Sequence, residues 1–173
     1  MRYVKVELIR DPQPGYSLDA DDYLAVLPEI EAELPEGARI FALDVEHYNF
    51  FGPRCVKDLK LSRATVSDSS DQISVEFEFA PSKFKHDEGL VIRYADVAEL
   101  IIEITASPRE ADVWPDSRRL GDFQLDEILP HKKGVSHEIK MTGGTIRIVA
   151  SDLHAEWRDQ RNGPAEDSEC GDH

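Results

Sequence analysis

The densest grouping of chemically capable side chains is Asp44-Val45-Glu46-His47-Tyr48. Two carboxylates and an imidazole are the donor types that hold a metal ion or pass a proton in acid–base work. Read as a strand, the segment sends Asp44 and Glu46 to one face and Val45 and His47 to the other. The acids then converge locally, and His47 joins them only if the chain turns there, so the segment reads as a surface-facing strand end. His131 and His137 flank Lys132-Lys133-Gly134, with Glu138 next, and this spacing fits no metal motif. His86 lies in a lysine-bearing loop with Asp87 and Glu88, and His154 alternates with Asp152 and Glu156; all four of these histidines read as solvated. Cys55 and Cys170 are far apart, lack a C-x-x-C spacing, and suggest neither a disulfide framework nor zinc. Cys55 reads as a small residue in or near the core. There is no G-x-S-x-G, and Gly143-Gly144 joins two strands rather than opening a phosphate-binding helix. The expectation is a non-enzyme without cofactor or metal, Asp44, Glu46 and His47 being the residual metal candidates.

A second feature is electrostatic. Between Asp19 and Glu36 stand Asp19, Asp21, Asp22, Glu29, Glu31, Glu33 and Glu36, without a single base. Such a run is either a solvated face opposite an apolar stripe or a docking surface for a basic protein. In the second case Asp21, Asp22, Glu29 and Glu33 meet the partner, and Tyr48 and Phe50 of the loop that follows supply aromatic anchors unless they tuck into the core. The net charge of −15 over 173 residues argues against phosphate-mediated nucleic-acid binding and against anionic membrane surfaces. The tail adds Glu166, Asp167, Glu169 and Asp172 against Arg161, so most of the acidity belongs to the domain.

The elements that must position these residues follow from apolar periodicity. Met1–Arg10 alternates, with Val4, Val6 and Leu8 on one face, and reads as a strand rather than a secretory leader. A helix capped by Asp19 carries Leu24, Leu27, Ile30 and Leu34 as its stripe, is interrupted at Pro28 and ends at Gly37. Strands are expected at Ala38–Val45 and at Val56–Val66, where a phase slip calls for a bulge near Ser62-Arg63. Ile73–Phe79 alternates most clearly. Leu90–Tyr94 and Leu100–Thr105 are further strands, and Ser107–Gly121 reads as a polar loop. Leu120–Leu129 reads as a strand start followed by a helical turn at Leu125–Ile128. His137–Met141 and Thr145–Val149 flank the hairpin signal Thr142-Gly143-Gly144, and the last strand runs through Leu153, Ala155 and Trp157. The sum is a mainly β (α+β) chain: an antiparallel β-sandwich or barrel-like roll of about eight strands with one N-terminal acidic helix. Residues 1–159 form one domain and 160–173 an acidic tail too polar to order itself.

From His47 to Trp157 the order of features resembles small bacterial β-sandwich proteins, among them immunity proteins of polymorphic toxin systems. The strand Val56-Lys57-Asp58-Leu59-Lys60-Leu61, the alternation Ile73–Phe79, the stretch Gly89–Leu100, the turn Leu125–Ile128 and the hairpin ending in Ala150-Ser151-Asp152-Leu153 carry the likeness. It implies a sandwich fold and neutralisation of a toxin by binding, and it brings no catalytic residue. The functional expectation is a cytoplasmic protein-binding module, an immunity-type inhibitor in its specific form, that meets a basic partner through an acidic surface. The alternative is a small-molecule- or metal-binding β domain with an enzymatic activity, its site among Asp44, Glu46, His47 and the His131–His137 turn. The sequence leaves the oligomeric state open.

Overall fold

Alternating side chains need an apolar surface to face, and two four-stranded antiparallel sheets supply it for each other. The computed structural model describes residues 1–105 and 119–159. Its strands are β1 (Lys5–Ile9), β2 (Gly15–Asp19), β3 (Lys60–Asp68), β4 (Ile73–Ala80), β5 (Gly89–Ala95), β6 (Glu99–Ile104), β7 (Phe123–His131), β8 (Gly134–Met141), β9 (Gly144–Ala150) and β10 (Asp152–Arg158). The helices are α1 (Asp21–Ile30) and α2 (Glu36–Ala42), with a 3-10 turn at Glu31–Glu33 between them. One sheet has the order β10-β5-β4-β3 and the other β6-β9-β8-β7, while β1 and β2 form a separate hairpin.

The inner faces follow from register. In the first sheet Phe77 lies opposite Ile92, and Tyr94 lies between Val75 and Leu153. In the second, Ile139 lies opposite Asp126 and Ile146, and His137 opposite Ile128 and Ile148. These side chains are buried, and Phe79 meets Phe123 edge-on across the gap at 5.4 Å between ring centroids. The bulge expected near Ser62-Arg63 is present, where the β3–β4 register shifts between Leu61 and Arg63. The mainly β, sandwich-like architecture is therefore as expected, with ten strands rather than about eight among the described residues and no closed barrel.

Four local expectations give way to tertiary packing. Asp19, expected to cap the helix, instead ends β2, which pairs with β1; it accepts the Asp21 N–H through its side chain while Ala20 occupies the cap position. The expected leucine stripe is rotated, so Tyr23 and Leu27 are buried while Leu24 is exposed. Ala38–Val45 is not a strand, and Gly37 is not a stop: both belong to α2 and the turns after it. The Asp152 carboxylate on β10 accepts the N–H groups of Gly37 (3.0 Å) and Ala38 (2.9 Å), starting α2 from across the fold. Leu125–Ile128 is not a helical turn but the middle of β7, where both faces are buried and each acid has its own partners. The expected loop at Ser107–Gly121 falls largely, and the tail at 160–173 entirely, outside the described residues.

α2 sits directly on β10, and a Cβ at Gly37 would run into the Leu153 carbonyl group, whereas one at Gly15 would meet nothing within 4 Å. Gly37→Ala is therefore expected to cost about 1–3 kcal/mol in urea unfolding by overpacking. Gly15→Ala should stay within about 0.5 kcal/mol.

Candidate functional site

The side chains richest in chemistry meet between the two sheets, not on the surface. Asp126 on β7 and His137 on β8 are diagonal neighbours on the inner face, and His47 reaches them from the turns after α2. All three side chains are fully buried. His47 Nε2 donates to Asp126 Oδ1 (2.7 Å), and His137 Nε2 donates to Asp126 Oδ2 (2.8 Å). Tyr94 of the opposite sheet donates its hydroxyl to His137 Nδ1 at 2.7 Å. His47 Nδ1 faces the Phe41 carbonyl oxygen at 3.0 Å, and the ring lies between Phe41 and Tyr48, each 4.3 Å away by centroid.

The partners fix the protons. Both nitrogens of His47 face acceptors, a carbonyl and a carboxylate, so both must carry hydrogen and the ring is an imidazolium. His137 needs only one proton, because Tyr94 supplies the other hydrogen bond. The cluster is thus an imidazolium–carboxylate pair extended by a neutral imidazole and a phenol, and carries no net charge of its own. Burial alone would raise the Asp126 pKa, but the charge on His47 and hydrogen bonds from His137 and His47 hold it well below the usual carboxylate range. Burial alone would likewise strip the proton from His47, yet the charge and hydrogen bond of Asp126, the Phe41 carbonyl and Asp44 outweigh it and raise its pKa. Burial, reinforced by the Asp126 charge, pushes the Tyr94 hydroxyl well above its ordinary value, so it remains a donor.

His86 shows the opposite protonation. Its Nε2 donates to the Cys55 carbonyl (2.8 Å), and its Nδ1 accepts the Ser82 N–H (3.0 Å). One acceptor and one donor make a neutral ring, and burial lowers its pKa. His86 and His137, read from sequence as solvated, are both buried. The signal for His137 was its phase: Val135, Ile139 and Met141 share its face of β8 and are buried.

Asp44, Glu46 and His47 do not converge. Asp44 caps the Glu46 N–H (2.9 Å), Glu46 accepts from the Asn49 amide (3.2 Å), and His47 turns inward. Among the described residues no group of three or more His, Cys, Asp or Glu side chains is placed to hold a metal ion. His131 stays at the β7–β8 turn, where its Nδ1 accepts the Lys133 N–H, apart from the buried His137. Tyr48 stacks on His47 and donates its hydroxyl to the Asp126 carbonyl (3.0 Å), and Phe50 packs against the core. The ring presented to water is the neighbouring Phe51, at 97% exposure.

The helical face is arranged differently. Asp21, Asp22, Glu29 and Glu33 are exposed. Lys5 reaches Asp22 at 2.6 Å; Asp21, Glu29 and Glu33 have no ion-pair partner among the described residues. Leu24, Ile40, Leu43 and Val45 are exposed on the same stretch of chain. No helix of the described residues is long and apolar enough to cross a membrane. Comparison of the chain with protein-family models, curated proteins and solved structures finds no match.

Asp126→Asn removes the charge that neutralises His47 and should cost about 3–5 kcal/mol, as expected for breaking a buried pair. Tyr94→Phe leaves one buried nitrogen without its donor and should cost about 1–3 kcal/mol. The depressed Asp126 pKa stabilises the fold above the unfolded carboxyl value of about 4, and that stabilisation is lost as pH falls from there through the native value. Urea unfolding of Tyr94→Phe should keep this acid-side decline and that of Asp126→Asn should lose the Asp126 part of it.

Proposed function

We propose that the chain is a protein-binding module without catalytic activity of its own, and that it meets a basic partner through the face built by α1, the 3-10 turn and α2. The observation that carries this reading is the exposed carboxylates Asp21, Glu29 and Glu33, none with an ion-pair partner among the described residues, on helices whose one base is Arg39. Uncompensated charge of one sign raises the rate of encounter with the opposite sign and makes binding sensitive to salt. The apolar side chains Leu24, Ile40, Leu43 and Val45 add what charge alone lacks, surface that gains free energy when water leaves it. A partner of matching chemistry is a basic surface or segment with apolar residues among its lysines and arginines.

Absence of catalysis is supported by where the reactive side chains lie. A general base must come within hydrogen-bond reach of a substrate proton, and His47, Asp126, His137 and Tyr94 spend their polar atoms on one another and on the backbone in the core. The likeness of residues 47–157 to immunity-type β-sandwich proteins favours an inhibitor that neutralises a toxin by occlusion as the form this module takes.

Reversal of Asp21, Glu29 and Glu33 to Lys tests the reading, with Asp22 left in place because it pairs with Lys5. Affinity purification from the source cell should recover a basic protein with the wild-type chain at low salt. Recovery should fall at least about tenfold with the reversed chain or at high salt, as it does for interfaces steered by charge. A partner retained equally by both folded chains would remove the acidic face from the account.

A further inference from the structure

We propose that His47 is a proton-operated catch: in its charged form it fastens the segment joining α2 to β3 onto the second sheet, and loss of its proton releases that segment while the sandwich stays folded. The segment, residues 43–59, contains no strand of either sheet. Most of its backbone bonds are local turns, from His47 to Asp44, Asn49 to Glu46, Gly52 to Asn49 and Cys55 to Gly52. Local turns give a segment shape but do not attach it to anything.

Apolar attachment comes from Val56 and Leu59, which are buried in the core, and from Phe50 packed against it. Polar attachment comes from a few points, among them Lys85, which pairs with Asp58 and donates to the Lys57 carbonyl. At the far end, Asp58 donates its N–H to the Phe123 carbonyl (2.8 Å), and Phe123 donates back to Leu59 (2.7 Å). On the outer side, Arg54 pairs with Glu88, and His86 holds the Cys55 carbonyl. In the middle, the ties to β7 are the Tyr48 hydroxyl on the Asp126 carbonyl and His47 on the Asp126 carboxylate. Only the last of these is a charged pair sealed from water, so it outweighs the neutral tie beside it. It also joins α2 to the segment, because the same ring donates to Phe41.

Deprotonation breaks this arrangement at a defined place. A neutral imidazole has a single N–H, and His47 faces two acceptors. Without its second proton, either the Phe41 carbonyl or the Asp126 carboxylate is left facing a bare nitrogen in the core. The remaining groups around the ring cannot replace the charge. Within the segment these are Asp44 and Tyr48. From β7 come Asp126 and Glu127, whose carboxylate is engaged by the N–H groups of Arg2, Tyr3 and Val4. From β8 comes His137, already donating to Asp126; from β5 comes Tyr94, committed to His137; from α1 comes Tyr23, committed to the Ile128 carbonyl. No other cation faces Asp126 among these groups. The sandwich has its own cohesion, since the sheets meet through Phe77, Phe79, Ile92, Phe123, Ile139 and their neighbours. The catch stands whether or not the acidic face binds a partner.

The direction with pH follows from the raised native pKa of His47. The attachment is complete below the free-histidine value of about 6.5 and is lost as pH rises from there through the native value. Hydrogen exchange measured by mass spectrometry on the full chain, with rates corrected for intrinsic exchange at each pH, reads this directly. Protection in peptides covering residues 43–59 should fall by up to about tenfold per pH unit across that interval and then level off, one proton being released on opening. Peptides from β8 and β9 should hold their protection. In His47→Gln, protection of residues 43–59 should be low and flat with pH; should this variant not fold, the wild-type profile alone decides. A wild-type profile that is flat over residues 43–59, or that falls together with β8 and β9, would overturn the catch.

Discussion

The two oxygens of the Asp126 carboxylate bind imidazoles that lie 79 residues before it and 11 residues after it in the chain. A carboxylate cut off from water is tolerated only where counter-charge and hydrogen bonds replace its hydration. That requirement sets the protonation of His47, the tautomer of His137 and the donor role of Tyr94. It also ties three parts of the fold to one point: the turns after α2, the inner face of the second sheet, and β5 of the first.

β7 illustrates how much of the chain is organised around one strand. It lies at the end of its sheet, so one row of backbone carbonyls has no strand partner. The Phe123 carbonyl takes the Asp58 N–H, that of Asp126 takes the Tyr48 hydroxyl, and that of Ile128 takes the Tyr23 hydroxyl. These contacts cover the edge over residues 123–128. Glu127, on the other face, binds the backbone of residues 2–4. Two adjacent acids in one strand are both buried because each has found donors far away in sequence.

The elements legible in the sequence were those specified locally. Ile73–Phe79 and the hairpin around Gly143-Gly144 carry their own alternation and turn residues, and they fold as read. The bulge at Leu61/Arg63 was legible because the inward phase visibly slipped. What was not legible depends on partners that no local window contains. α2 begins on the Asp152 carboxylate, and Leu125–Ile128 is a strand because His47, His137 and the chain start satisfy its acids. Of the site, the sequence marks His47 by its chemistry but places it at a surface strand end, whereas the fold turns it inward onto Asp126. His137 had a readable cue, since it sits on the apolar phase of β8 between Val135 and Ile139. The acids Asp21, Asp22, Glu29 and Glu33 are exposed, as a run without bases implies, whereas Tyr48 and Phe50 turned inward and left the exposed position to Phe51.

The molecule thus separates its two resources: polar chemistry sealed inside, where it ties distant parts of the chain together, and negative charge outside, on the face proposed to meet a partner. The interior half of that account rests on His47 carrying two protons. Long-range proton–nitrogen correlation NMR of the histidine rings at neutral pH tests this most directly. His47 should show both ring nitrogens protonated, while His137 and His86 each show one protonated and one bare nitrogen. A bare ring nitrogen on His47 at neutral pH would contradict the buried ion pair and the organisation built on it.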